Sequence, residues 1–111
     1  MGVVGSMALN GRYSDEMPPE GCWDIKVLDI RRDPVGRRSF YIETAEPVYE
    51  VDPRTARLGW KAIIPEEKIS YENGIKQFER GKCYEIDVKR FRRKDGKEDY
   101  KIIVKGVEEC V

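Results

Sequence analysis

The stretch between residues 81 and 107 constrains the fold of this chain more than any other part of the sequence. Apolar residues there alternate with charged ones, a period of two that places one set in the core and the other in water. The alternating apolar residues are Tyr84, Ile86 and Val88, then Tyr100, Ile102 and Val104. Between the two runs stands Asp95-Gly96, a strong hairpin signal, because Gly tolerates and Asp accepts the positive φ of a tight primed turn. We therefore predict a long β-hairpin whose tip is positively charged.

Three more strands are predicted upstream of this hairpin, over residues 22–32, 37–45 and 58–64. The first of them changes phase midway along its length. Its apolar residues are Trp23, Ile25 and Val27 on one face, followed by Leu28 and Ile30 on the other. Such a change is typical of a β-bulge or a sharp bend in a strongly curved strand.

The segment between the third strand and the hairpin has a different pattern. Ile69, Ile75 and Phe78 recur at roughly helical spacing, with charged residues between them. Gly74 weakens the interior of a helix, and Gly81 suits the position that follows a helix C-terminus. We predict one short helix here, over residues 71–79.

By its length of 111 residues the chain is one domain with one modest core. Its first residues show no periodic pattern, and Pro18-Pro19 belongs to a stiff, non-helical lead-in. Gly5-Ser6-Met7 resembles a cloning remnant, so it has no part in the predicted fold. We expect a flexible N-terminal tail over residues 1–17 and a single folded domain over residues 18–111.

The predicted order is strand, strand, strand, helix, strand, strand, with a bend in the first strand. This order resembles the OB-fold, a small Greek-key barrel used for oligonucleotide binding. The resemblance covers residues 18–109 and is carried by residues 23–30, residues 77–86 and the Asp95-Gly96 hairpin. Within that fold the chain is similar to single-stranded-DNA-binding domains of the replication-protein-A type and their archaeal relatives. The resemblance implies an all-β, five-stranded OB-like barrel with one helix between strands 3 and 4.

Positive charge is concentrated in two segments of a chain whose net charge is zero. Between residues 31 and 38, four arginines and one aspartate leave +3; between residues 89 and 101, seven basic and three acidic residues leave +4. The remaining residues therefore carry −7, so the molecule is two-sided in charge. The resemblance implies that these segments join strands 1 and 2 and strands 4 and 5, the loops that flank a ligand groove on strands 2 and 3.

Cations in these two segments are our candidates for phosphate binding. They are Arg31, Arg32, Arg37 and Arg38 in the first segment, and Lys89, Arg90, Arg92, Arg93 and Lys94 in the second. Tyr41 (opposite in phase to Phe40), Trp60 and Phe91 are candidates for stacking on bases, a contact worth about 1–3 kcal/mol per base. Alternatives remain open: the charged tips could be merely solvated, Trp60 could be a core residue, and Phe91 could lie under the hairpin.

Five other aromatic residues are assigned to the core: Trp23, Phe40, Phe78, Tyr84 and Tyr100. The chain has no histidine and three cysteines without metal-ligand spacing, which argues against a zinc site and a histidine-dependent nucleophile. Cys22 and Cys83 are expected to be small buried thiols in a reducing cytoplasm.

No glycine-rich phosphate loop, serine elbow or paired-acid motif is present, so we expect no enzyme and no cofactor. No apolar run approaches the roughly 20 residues of a membrane helix. The sequence predicts a non-catalytic cytoplasmic protein that binds single-stranded nucleic acid, DNA more readily than RNA. Two alternatives remain. One is a protein-interaction barrel that serves as a subunit of a replication or repair complex. The other is a viral or mobile-element accessory protein that blocks or recruits a host nucleic-acid enzyme.

Overall fold

The computed structural model describes residues 17–45 and 59–110, and within these ranges the chain is built almost entirely of β-strands. Residues 1–16 of the predicted tail and residue 58 of the predicted third strand lie outside the described residues. The elements are β1 (Gly21–Arg32), β2 (Arg38–Thr44), β3 (Lys61–Pro65), a 3₁₀ turn (Glu66–Lys68), β4 (Ile69–Tyr71), β5 (Cys83–Arg92) and β6 (Glu98–Glu108). The predicted all-β class is confirmed.

The six strands form one mixed sheet in the order β3-β2-β1-β5-β6-β4. β4 runs parallel to β6, and every other neighbouring pair is antiparallel. The C-terminal part of β1 pairs with β2, and its N-terminal part pairs with β5. The register of β1 against β2 shifts between Val27 and Asp29, which confirms the predicted irregularity in this strand.

The predicted five-stranded barrel is wrong in its strand count and in its closure. β3 and β4 are the two edges of the sheet, and within the described ranges they are not paired with each other. Three residues, Glu66–Lys68, separate them. The Cα atoms of Pro65 and Ile69 therefore lie at most about 14 Å apart. The sheet curls until its edges are neighbours, but it is not a closed barrel.

The predicted helix over residues 71–79 is wrong. Tyr71 ends β4, and the chain from Glu72 to Lys82 has no helix. Asn73 (φ 57°) and Gly74 (φ 80°) are both left-handed, a conformation that a right-handed helix cannot contain. The helix-like spacing of Ile75 and Phe78 instead reflects two loop residues that turn toward the core.

Phe78 closes one end of the core from within this loop. Its side chain is completely buried, and its ring lies 5.3 Å from that of Phe40, 5.7 Å from that of Tyr71 and 4.9 Å from that of Tyr84. The Phe78 amide donates to the Tyr71 hydroxyl at 3.1 Å, and the Glu79 amide donates to the Tyr84 hydroxyl at 2.9 Å. Two tyrosine hydroxyls thus satisfy backbone donors that a helix would have satisfied itself.

The core lies on the concave face of the sheet and confirms most of the aromatic assignments. Phe40, Phe78, Tyr84 and Tyr100 are buried, while Trp23 is partly buried and packs against the same cluster. Burial raises the pKa of Tyr100 to about 12, so this phenol remains neutral in ordinary buffers.

The cysteines differ from the prediction. Cys83 is buried as expected, but it forms a disulfide with Cys110. Cys22 is exposed, and its thiol donates to an Asp87 carboxylate oxygen at 3.0 Å. The disulfide depends on the pairing of Cys83 with Glu108 between β5 and β6, which the sequence pattern did not predict. Because Cys83 is in a disulfide, buried and reduced thiols no longer support the expected cytoplasmic location. In the described ranges, no helix has the length and apolarity to cross a bilayer.

Replacing Phe78 by Ala should lower the free energy of unfolding by about 3–5 kcal/mol, because a large cavity would open among the core rings. Urea unfolding monitored by tryptophan fluorescence measures this change. Ile75→Ala, in the same loop but only partly buried, is the matched control and should cost less. A loss under about 1 kcal/mol for Phe78→Ala would contradict the role of this ring in closing the core.

Candidate nucleic-acid interface

The first basic segment is the turn that joins β1 to β2. One carboxylate oxygen of Asp33 accepts the amides of Val35 at 3.0 Å and Arg37 at 2.8 Å, and Gly36 takes a positive φ of 91°. The Arg37 amide is the main cause that lowers the pKa of Asp33 below its usual value. This turn holds Arg32 and Arg37 on an exposed hairpin tip.

The second basic segment joins β5 to β6 through a turn of the same design. The Arg93 amide donates to the Lys97 carbonyl at 2.8 Å, and the Gly96 amide donates to the Arg93 carbonyl at 2.9 Å. The Asp95 carboxylate accepts the Lys97 amide at 3.0 Å. The hairpin is confirmed, but its turn is not the predicted primed one. Of Asp95 and Gly96, only Gly96 has a positive φ (86°), which is typical of a three-residue loop ending in a left-handed residue.

The bases of both hairpins flank the 3₁₀ turn. Arg38, at the start of β2, forms an ion pair with Glu66. Lys68 donates to Asp99, near the start of β6, at 2.6 Å. Each cation is the main cause that holds the pKa of its carboxyl partner below the usual value. Because Glu66 and Lys68 are two residues apart, segments far apart in sequence border one surface.

The outer face of β1, β2 and β3 adjoins the first hairpin. Its middle row consists of Asp29, Tyr41 and Ile63, aligned across the three strands. The Arg31 guanidinium lies 5.2 Å from the centre of the Tyr41 ring, and its Nε is 2.8 Å from an Asp29 carboxylate oxygen. Tyr41 is partly exposed between the buried Phe40 and Ile42, which confirms that it points away from the core. Tyr41 and Arg31 thus form a cation–π pair on this outer face, where Asp29 balances the charge of the arginine.

Two of the candidate cations are engaged within the fold. Arg38 has only 21% of its side chain exposed, and besides pairing with Glu66 it donates to the Gln77 side chain at 2.6 Å. Arg90 donates from one guanidinium nitrogen to the Met17 and Pro18 carbonyls, each at 3.2 Å. These two arginines position neighbouring segments.

The other seven candidate cations are exposed: Arg31, Arg32, Arg37, Lys89, Arg92, Arg93 and Lys94. Several make solvent-exposed contacts near their own turns. Arg37 lies 3.3 Å from Asp33, Arg93 lies 3.2 Å from Asp95, and Arg92 donates to the Gly96 carbonyl at 3.1 Å. Exposed pairs contribute at most about 1 kcal/mol, so a phosphate can displace such partners at little cost.

The aromatic candidates have different environments. Phe91 is 45% exposed on β5, close to the exposed cations of the hairpin. Trp60 is partly buried, packs edge-on against Trp23 at 5.5 Å, and contributes to the core margin. The Trp60 indole nitrogen is buried without a hydrogen-bond partner in the described part of the chain. Of the three, Tyr41 and Phe91 therefore present the better surfaces for stacking.

Sequence reasoning missed the residues that join the hairpins, namely Glu66, Lys68 and Asp99. No sequence signal pairs Glu66 with Arg38, a residue 28 positions earlier. Among the side chains of residues 17–45 and 59–110, no group of three or more His, Cys, Asp or Glu could hold a metal ion.

Comparison of the chain with protein-family models, with curated proteins and with solved structures found no match. We therefore infer function from the geometry of the two hairpins and the surface between them.

Acid should destabilise the fold through the carboxylates that anchor the hairpins. The pKa of Asp99 is below its ordinary value of 3.8 in the folded protein, chiefly because of Lys68. Its stabilising effect is therefore complete above the unfolded pKa and is lost as pH falls through the folded pKa. Asp99→Asn should destabilise the protein at neutral pH and make its free energy of unfolding less dependent on pH below about 4. Denaturation midpoints measured across this range test the prediction.

Glu98→Gln is the matched control for that series, because the Glu98 carboxylate forms no ion pair within the described residues. It should follow the wild-type pH profile. An Asp99→Asn profile parallel to that of the wild type at every pH would contradict the anchoring role.

Proposed function

We propose that this protein binds single-stranded nucleic acid, DNA more readily than RNA, without catalysing a reaction. The observation that carries the proposal is the position of the 3₁₀ turn, Glu66–Lys68, between the bases of the two basic hairpins. The Arg38–Glu66 and Lys68–Asp99 contacts attach both hairpins to this turn. Charges that would be dispersed on an open sheet are thereby brought to the borders of one surface.

The binding surface that we propose is OB-like. Its floor is the outer face of β1, β2 and β3 around Tyr41, and the two hairpins are its walls. The central place of β1 between β2 and β5, and the register shift within it, support this proposal. The preference for DNA follows from the resemblance to single-stranded-DNA-binding domains.

Two kinds of contact would share the binding. The exposed cations of the hairpins would neutralise phosphates, which contributes affinity without sequence information. Tyr41 and Phe91 would stack on bases. This contact does not depend on sequence, because every base has an aromatic face. The net negative charge of the rest of the chain would orient the nucleic acid toward the hairpins.

Binding of an oligothymidine should weaken with salt, and the slope of log affinity against log salt should be about 0.7 per contacted phosphate. Arg92→Ala together with Arg93→Ala should weaken binding to all sequences alike and reduce this slope by about 0.7–1.4, because one or two phosphate contacts are lost. Fluorescence anisotropy at several salt concentrations measures both quantities.

A double variant of Lys82→Ala and Lys105→Ala is the matched control for charge. These lysines lie near the other end of the β5–β6 ladder, where Cys83 pairs with Glu108. The control should retain the wild-type slope. Affinity that does not change with salt would contradict the proposal and favour the protein-interaction alternative.

Phe91→Ala should weaken binding by about 1–3 kcal/mol and leave the salt slope nearly unchanged, because stacking releases no counterions. Since the ring is 45% exposed, the variant should be much less destabilised than Phe78→Ala. Anisotropy and urea unfolding on the same sample separate the two effects. Unaltered affinity per folded molecule would contradict the stacking role.

A further inference from the structure

A depression beside the second hairpin has a lining that a pure phosphate site would not have. It is lined by Pro19, Glu20, Arg90, Phe91, Arg92 and Glu98. Two carboxylates, those of Glu20 and Glu98, stand here beside two arginines of the second basic segment. Carboxylates repel phosphate oxygens, but they accept hydrogen bonds from the N–H groups of bases.

The N-terminal wall of this depression is held in place from three directions. The Arg90 guanidinium binds the carbonyls of Met17 and Pro18. The Trp23 indole donates to the Pro19 carbonyl at 2.9 Å. The Arg90 amide donates to a Glu20 carboxylate oxygen at 3.3 Å. The depression is therefore built from a positioned segment and a strand end.

Glu98 has acceptor capacity that no described part of the fold uses. It is the cross-strand partner of Arg92, yet the Arg92 guanidinium donates to the Gly96 carbonyl instead. Within the described residues, the Glu98 carboxylate has no hydrogen bond or ion pair. No side chain of residues 17–45 or 59–110 thus binds either of its oxygens at this depression.

We propose that this depression is a base subsite that prefers guanine, an inference that rests on the proposed binding of single-stranded nucleic acid. Guanine presents two adjacent donors, N1–H and the N2 amino group, to the two oxygens of one carboxylate. Thymine and uracil present one N–H between two carbonyl oxygens. A carboxylate repels those oxygens, so it binds these bases less well. Glu98 accepts the two donors of the guanine, and the guanidinium of its cross-strand partner Arg92 offers a flat surface to the base.

Three strands of equal length test this inference: oligothymidine, thymidine alternating with deoxyguanosine, and thymidine alternating with deoxyinosine. Inosine keeps N1–H but lacks the N2 amino group. The guanine strand should bind about fivefold or more tightly than oligothymidine, the lower bound for a bidentate base contact. The inosine strand should lose most of that preference.

Glu98→Gln should reduce the guanine-to-thymine affinity ratio toward one. Loss of a negative charge alone would strengthen binding to all strands alike, so this ratio isolates the base contact. Glu85→Gln, an exposed carboxylate on β5 outside the depression, is the matched control and should retain the wild-type ratio.

Equal affinity of the wild-type protein for the three strands would overturn the guanine subsite and leave the proposed function intact. An unchanged ratio in Glu98→Gln would overturn the assignment to this carboxylate. Failure to bind any strand would overturn the proposed function together with this inference.

Discussion

The short connection between the two edge strands is the constraint on which the rest of the structure depends. Only Glu66–Lys68 separate β3 from β4, although these strands stand at opposite ends of the strand order. The sheet must therefore curl, and its concave face becomes the core. In the strand register the two hairpin tips extend beyond opposite ends of β1. The curl brings their bases to the same turn, where ion pairs attach them.

The loop from Glu72 to Lys82 closes the core without regular structure. A helix would satisfy its own amides and present an apolar face to the core. This loop instead contributes Phe78 to the core, and two of its amides donate to tyrosine hydroxyls. Both tyrosines stand on strands, so the loop is positioned by the sheet. Burial raises the pKa of each of these phenols, which keeps them neutral where they accept the amides.

Neighbouring cations in the basic segments differ in role: some hold parts of the fold together, and others are exposed. Arg38 is half-buried between Glu66 and Gln77, while Arg37 next to it is exposed on the tip. Arg90 holds the segment before β1, while Arg92 on the same face of β5 is exposed. A strand places successive side chains on opposite faces. Along one face, burial also decreases at the point where the neighbouring strand ends. Structural anchoring and ligand binding can therefore occupy one short segment.

Local pattern determined much of this protein. Alternation specified the β5–β6 hairpin, and the phase change in β1 indicated its bulge, because a period of two depends only on which face is buried. The core positions of Phe40, Tyr84 and Tyr100 follow from the same rule. The exposed cations of the hairpin tips could also be named in advance, because charged residues next to Gly-containing turns lie at the surface.

Only the tertiary structure decided the rest. β4 has three residues, too few for a period to be visible, and its partner β6 begins more than twenty residues later in the sequence. Helical spacing around Phe78 was misleading, because left-handed backbone at Asn73 and Gly74 interrupts it. The Cys83–Cys110 disulfide and the Arg38–Glu66 pair join residues that local pattern cannot relate. Each depends on how strands are aligned and how far the sheet curls, and those distances are set by the packed chain as a whole.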